Sequence, residues 1–397
     1  MNAEYCGFYN MKDRYNFAVI GCGALARSAH IPNIARSPRM VLHTCCDVSA
    51  EALDECRTKF GALHTTGDYL AAIANPEVDV ICLATTEKLR LPVIAAAAKA
   101  GKPIYIEKPV ARTLKEMYEI QKVIRESGIP ACVGHNRRCS PAMIEAHRIF
   151  RNHMNDPKPA GWRWDREGAD RPNLPSNGVA GMTVRINDDW WSWKSWVFDK
   201  EQAPEGQMLF EMTHYTDMCN WFLDAQPQQV VALERGQLNS GVVIAYKTGE
   251  MATLSMYANG TFGYPKELYE MFGQGGAVIV DHMVEIRTAG LPGVPNRIPF
   301  PMLKDRHPNV GTEGGIYGWL AKKRAACAEA EQKGDPMLAF TAEPDKGHAH
   351  AMERFLDEII GTGPKVCPID DAVLATRVAF AAIQSAKTGR AVNLDEV

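Results

Sequence analysis

Through the first 140 residues, short and nearly unbroken apolar runs return at regular intervals. Phe17–Ile20, Met40–Cys46, Val78–Ala84 and Pro103–Ile106 are each of strand length, and segments with helical spacing separate them. Runs without strict polar alternation are those of strands buried on both faces, and their alternation with helices predicts a parallel sheet with right-handed crossovers. The alanine-rich helix after the third run ends at Lys99-Ala100-Gly101, where the glycine supplies a stop. Beyond Arg138 this rhythm ceases. Residues 155–206 are rich in Pro, Gly, Trp and charged side chains and read as loops over a sheet, and Gln207–Phe222 reads as one helix. Gln228–Gly236, Gly241–Tyr257 and Glu267–Arg287 alternate apolar and polar residues as antiparallel strands do. The Gly- and Pro-rich stretch Thr288–Phe340 reads as a lid or an intersubunit arm, with a helix predicted over Gly315–Lys333. The expected fold class is α/β, with an arm over 1–15, a nucleotide-binding domain over 16–138 and a second α/β domain over 139–397.

Between the first run and its helix lies Gly21-Cys22-Gly23-Ala24-Leu25-Ala26, a G-x-G-x-x-A turn. Gly21 permits the tight turn, Gly23 lets a pyrophosphate approach the backbone, and small Ala26 keeps helix and strand close. The helix start then presents free N–H groups and a positive dipole end to phosphate. Such turns also occur without a ligand, so the neighbours matter. The second run ends in Asp47, about two dozen residues past the glycines, where a carboxylate can hold ribose hydroxyls and repel a 2′-phosphate. A helix-capping or turn role is the alternative for Asp47. Thr85 follows the third run and Glu107-Lys108-Pro109 the fourth. In a parallel sheet all of these emerge at the carboxyl edge, where ligands bind.

Composition narrows the picture further. A chain of 397 residues, 46% hydrophobic, is long enough for two full cores. Its net charge of -3 and lack of a basic run point away from nucleic acid and anionic membranes. No apolar run approaches the roughly 20 residues of a membrane span, and no signal segment is read at the start. The 11 cysteines are scattered without a C-x-x-C pair, and Cys22, Cys45, Cys46 and Cys82 lie in or beside apolar runs as small hydrophobes. A reduced, cytoplasmic protein with no metal is the expectation. In the arm, Tyr5, Phe8, Tyr9 and Tyr15 could pin it to the body or to a neighbouring subunit, or it could fray. Seven of the 8 tryptophans fall between Trp162 and Trp221, four of them in residues 190–196, interleaved with Asp188, Asp189 and Lys194. Aromatic faces beside charged groups suit a sugar, although tryptophans also serve as core and interface residues.

The glycine turn Gly21–Ala26, "AGKPIYIEKPVA" over Ala100–Ala111, "VGHNRR" over Val133–Arg138 and His214-Tyr215-Thr216-Asp217 with "NWFLDA" after it resemble the glucose–fructose oxidoreductase/inositol dehydrogenase (Gfo/Idh/MocA) family. "MERFLDEIIGTG" and "AAIQSAKTGRAV" near the C-terminus fit as well. The resemblance implies a Rossmann domain, then an α/β domain with a large, mostly antiparallel sheet whose open face serves oligomerisation. It implies NAD, with NADP less favoured, and Lys108 and His214 as catalytic residues. Gly21, Gly23, Ala24, Leu25, Asp47, Thr85, Glu107, Lys108 and Asn136 are then expected at the cofactor. Lys108, Arg137, Trp193, Glu211 and His214 are expected at the substrate, Asp217 orienting or packing. The peptide bond before Pro109 is expected to be cis. Two positions depart from the family. An aspartate common four residues before the histidine is Phe210 here, with Glu211 one residue later, and a histidine common after the third strand is Arg90. The implied activity is oxidation of a secondary hydroxyl of a sugar, glycoside or polyol to a ketone, leaning to a glycoside or sugar. An inositol or monosaccharide dehydrogenase, an NAD-dependent glycosidase with transient oxidation, and a nucleotide-sensing regulator are the alternatives.

Overall fold

The computed structural model describes residues 12–156, 179–190, 197, 199, 201, 203, 205–236, 238–301, 314–335, 338–339 and 343–397. Residues 1–11 of the expected arm, Trp193, Lys194 and most of the tryptophan cluster lie outside the described residues. The chain divides into two compact units, Met1–Cys139 with Gly347–Thr376, and Ser140–Lys346 with Arg377–Val397.

In the first unit the chain runs β1 (Tyr15–Ile20), a wide π-type turn (Ala26–His30), α1 (Ile31–Arg36), β2 (Met40–Cys46), α2 (Ala50–Phe60), β3 (His64–Thr66) and α3 (Tyr69–Ala74). It continues through β4 (Val80–Leu83), α4 (Arg90–Lys99), β5 (Ile104–Ile106), α5 (Leu114–Ser127) and β6 (Ala131–Val133). The six strands pair in parallel in the order β3-β2-β1-β4-β5-β6. Strand β1 begins at Tyr15, which pairs with Met40 and is buried, so the sheet claims the last residue of the expected arm. Phe17, Ala18, Val19, Val80, Ile81 and Cys82 are fully buried, as sequence runs without polar alternation require.

Local sequence sets the helix ends. Thr113 caps α5 by accepting from the Glu116 N–H, its apolar face is Met117, Ile120 and Ile124, and Gly128 ends it at φ 68°. The wide turn before α1 answers to Pro32, which has no N–H for the preceding turn and whose ring would crowd the carbonyl of Ser28.

Residues 347–376 were expected in the second domain, but they group with the first unit. The cause is α10 (His348–Ile359), whose Ala351, Met352, Phe355, Leu356 and Ile359 form one buried stripe. Phe355 meets the ring of Tyr105 at 6.2 Å between centroids, and Arg39 bridges Glu353 at 3.1 Å and Asp357 at 2.8 Å. Burying a ring such as that of Phe355 stabilises by about 2–3 kcal/mol; the half-exposed ion pairs add little.

The second unit begins with α6 (Pro141–Asn155) and β7 (Gly181–Asn187), then α7 (Gly206–Phe210) and α8 (Met212–Leu223). The strands β8 (Pro227–Arg235), β9 (Asn239–Tyr246), β10 (Met251–Tyr257), β11 (Glu267–Gly273), β12 (Gly276–Asp281), β13 (Glu285–Ala289) and β14 (Arg297–Pro299) follow. After them come α9 (Gly315–Lys333), matching the predicted helix, α11 (Ile369–Thr388), which the unit boundary divides, and β15 (Val392–Asn393). Among the described residues, nine strands form one sheet in the order β14-β13-β12-β11-β7-β10-β9-β8-β15, antiparallel except for the pair β7 and β10.

Strand β7 corrects the reading of residues 155–206 as loops. It is the fifth strand from either edge, and Met182, Val184 and Ile186 face the core in strict alternation. The core-facing side of the sheet shares one apolar cluster with Phe150 of α6 and Tyr215, Met218 and Phe222 of α8. On the opposite side Val231 and Val243 are cross-strand partners, and Leu233, Met251 and Phe272 are also exposed. No described helix is long and apolar enough to cross a membrane.

Candidate functional site

Within the first unit the chain reverses its strand order beside β1, so the carboxyl ends of β1 and β4 diverge into a crevice. Gly21 leaves β1 there at φ 91°, and a Cβ on it would lie 2.7 Å from the backbone of Ala84 and Thr85. A Cβ on Gly23 would meet nothing within 4 Å. Gly21 is therefore required by the fold, whereas open Gly23 and exposed Ala24 and Leu25 leave a bare backbone surface facing solvent. That bare turn at a sheet switch point fits a dinucleotide pyrophosphate.

Asp47 ties the crevice together. Its carboxylate accepts from the Cys22 N–H at 2.7 Å and from the Ser49 N–H at 2.9 Å, while Ser49 caps α2. The turn role weighed from sequence is thus present. It also fixes a carboxylate beside the glycine turn, where a ribose diol can meet the remaining lone pairs. Thr85, half-buried, follows β4 at the same edge.

After β5 come Glu107 and Lys108, with a cis Lys108–Pro109 bond. The Glu107 carboxylate is buried and lies 2.7 Å from Nε2 of fully buried His30. Its second oxygen accepts from the Lys108 N–H at 3.2 Å, and Arg90 donates to the Lys108 carbonyl at 3.3 Å. Lys108 itself is half-buried. Gly134 makes the room, since a Cβ there would lie 2.9 Å from Oε1 of Glu107.

Burial alone would raise the Glu107 carboxyl, but the His30 hydrogen bond and charge, with Lys108 and His348, outweigh it and hold it down at about 2. A depressed carboxyl contributes stability in full above its ordinary 4.5 and loses it as pH falls through about 2. We expect acid to remove up to about 3 kcal/mol through this group, and Glu107→Gln to flatten that loss. Urea midpoints of both proteins at pH 5 and pH 3 measure it; parallel declines refute it.

Beyond β6, Asn136, Arg137 and Arg138 form a buried 3-10 turn. The Arg137 guanidinium reaches Oδ1 of Asn136 at 3.5 Å, and Arg138 pairs with Asp371 at 2.7 Å. Every residue expected at the cofactor thus lies at the carboxyl edge of this one sheet.

In the second unit, Glu211 separates α7 from α8 at φ −112°, which corrects the single helix expected over Gln207–Phe222. The chain turns where Phe210 enters the apolar core, and Oε2 of Glu211 lies 4.0 Å from Nζ of Lys266. Lys266 pairs at 3.0 Å with Asp188, whose other oxygen accepts from Gln207 at 3.3 Å. Burial pushes the Asp188 carboxyl up, and Glu211 adds to this against the pull of Lys266. His214 and Asp217 are buried further along α8.

Sequence reasoning did not find His30 or Lys266, and it met Gly134 only within the VGHNRR stretch, without its role. Each stands far along the chain from the group it serves. Arg90 was noticed only as a departure, yet it is what grips the Lys108 backbone.

Residues 15–135 match the model of the family described as oxidoreductase family, NAD-binding Rossmann fold (Gfo/Idh/MocA). The chain is 22% identical over 95% of its length, and 96% of the other's, to the uncharacterized oxidoreductase YrbE of Bacillus subtilis. It is 20% identical to the myo-inositol 2-dehydrogenase of Thermotoga maritima, over 96% of this chain and 98% of that one. Among solved structures, levoglucosan dehydrogenase in complex with NADH superposes with a TM-score of 0.72 at 18% identity, over 96% of this chain and 99% of that one. At that identity the likeness shows the fold.

Proposed function

We propose that this chain, an oxidoreductase whose residues 15–135 match the NAD-binding Gfo/Idh/MocA model, oxidises a secondary hydroxyl of a sugar, glycoside or related polyol to a ketone. What supports this reading most is the Glu107–Lys108 pair at the same sheet edge as Gly21 and Asp47, with the carboxylate locked by His30. The names of its relatives, a myo-inositol 2-dehydrogenase and a levoglucosan dehydrogenase, support the substrate class.

What NAD supplies when bound is an acceptor for the hydride of the carbinol carbon. Backbone N–H groups of Gly23, Ala24 and Leu25 hold the pyrophosphate, with Gly21 shaping their turn. Asp47 binds the ribose hydroxyls and disfavours NADP, while Thr85, Glu107 and Asn136 line the nicotinamide end. Lys108 donates from Nζ to the reacting hydroxyl oxygen, and His214 takes the hydroxyl proton. Arg137, Glu211 and Trp193 contact the substrate, with Asp217 orienting or packing. The preferred substrate is a glycoside or sugar, an inositol being the runner-up.

The test is absorbance of NADH during incubation with NAD and a panel of levoglucosan, inositols, free sugars and aryl glycosides. Rising NADH with a ketosugar product is expected. Aglycone release without net NADH would instead indicate an NAD-dependent glycosidase, and no reaction with any member would overturn the reading. A regulator without catalysis is the least favoured alternative, because a pure nucleotide binder needs neither Lys108 nor His214.

The exposed strip of Val231, Leu233, Val243, Met251 and Phe272 supports a homo-oligomer formed through the open sheet face. Leu233→Glu should then shift the mass measured by light scattering to a smaller species; an unchanged mass refutes this contact.

A further inference from the structure

Upstream of the carboxyl edge, the first unit brings together two imidazoles and a carboxylate with no part in the chemistry above. His43 stands in the middle of β2, His64 opens β3, and Glu77 lies on the turn before β4. One ligand atom from each lies within 4.8 Å of the other two. We propose that His43, His64 and Glu77 form a binding site for a divalent transition-metal ion of the zinc type, clipping the three-residue edge strand β3 to β2 and to the turn before β4.

The donor set is the first argument. Two imidazoles and one carboxylate suit zinc, cobalt or nickel and leave coordination positions for water, and the anionic oxygen offsets part of the ion's charge. Geometry is the second. Donors around a tetrahedral ion with bonds of about 2.0–2.2 Å sit about 3.3–3.5 Å apart. Nε2 of His43 and Oε2 of Glu77 are 3.3 Å apart already. The rings of His43 and His64 are 4.8 Å apart between centroids. His64 is exposed, which leaves its ring room to turn toward the other two donors.

The third argument is that one ligand, and the turn that carries another, are held in place. Nδ1 of buried His43 is 2.9 Å from the Thr44 hydroxyl. A proton on Nδ1 directed at that oxygen leaves the Nε2 lone pair for the ion, which is how outer-shell partners orient a ligating histidine. The turn carrying Glu77 is pinned by its N–H on Oδ1 of Asn75 at 2.9 Å and by its carbonyl on Nδ2 of Asn16 at 2.8 Å. The Glu77 side chain is 68% exposed, so an ion can enter from solvent. An ion pair between His43 and Glu77 would need no third group, yet the ring of His64, 4.8 Å from that of His43 between centroids, sets a second imidazole beside it.

The site is tested with zinc alone, on protein lacking a histidine tag and stripped by a chelator. Competition with a chromophoric chelator should show wild type taking up one equivalent of zinc that His64→Ala and Glu77→Gln each bind more than about tenfold more weakly. Zinc should also raise the melting temperature of wild type and of neither variant. Both substitutions change exposed side chains, so the metal-free melting temperatures should stay together. No zinc uptake by wild type, or equal affinity in all three proteins, overturns the proposal. Neither outcome bears on NAD binding or catalysis.

Discussion

Lys108→Met should lower kcat by about a thousandfold while NAD affinity stays within about threefold of wild type. Methionine keeps the length of lysine's aliphatic stem and removes the ammonium, so most of the packing of this half-buried position is kept. The backbone around it is fixed from both sides, by the Glu107 carboxylate on the N–H and by Arg90 on the carbonyl. The defect should therefore appear at the reacting hydroxyl and not in the nucleotide pocket. Steady-state turnover on whichever panel substrate yields NADH, with a fluorescence titration of NAD, separates the two. Near-normal turnover in the variant would remove Lys108 from the chemistry.

Gly21→Ala should damage the protein in a way that Gly23→Ala does not. At φ 91° an alanine is strained by about 1–3 kcal/mol, and its Cβ would press on the Ala84 and Thr85 backbone at 2.7 Å. The ends of β1 and β4 would have to part, so both the urea midpoint and NAD affinity should fall, the latter by more than about tenfold. The Cβ of Gly23→Ala meets nothing within 4 Å, so its urea midpoint should stay near wild type while NAD binding weakens. Wild-type NAD affinity in Gly23→Ala would contradict the placement of the pyrophosphate on this turn.

The contrast between these glycines shows what sequence could and could not tell. Both were visible as a motif, because a strand, a turn and a helix start leave local signatures. That one serves the fold and the other faces open space depends on β4, some sixty residues later. Buried parallel strands such as β2, with bounds Met40–Cys46, were legible for the same local reason. Strand β7 was not, although Met182, Val184 and Ile186 alternate cleanly; the Pro, Gly and Trp around it outweighed seven residues of pattern. Helical spacing likewise concealed the break at Glu211, since no glycine or proline marks it and the cation beside its carboxylate, Lys266, stands 55 positions away. Asp47 was legible as an acid at the right place, but its grip on Cys22 and Ser49 was not. Partners such as His30 for Glu107 are tertiary facts, invisible to spacing alone.

One consequence concerns biosynthesis. The stripe of α10 that covers Tyr105 is encoded more than two hundred residues after the last strand of the sheet it joins. A ribosome releasing the N-terminal 139 residues would deliver all six parallel strands while the side awaiting Phe355 and Leu356 stayed wet. Nascent chains in that condition are prone to stick to one another. Shortening this gene product after Cys139 to obtain a minimal nucleotide binder should therefore yield aggregates, unless the segment 347–376 is spliced back on.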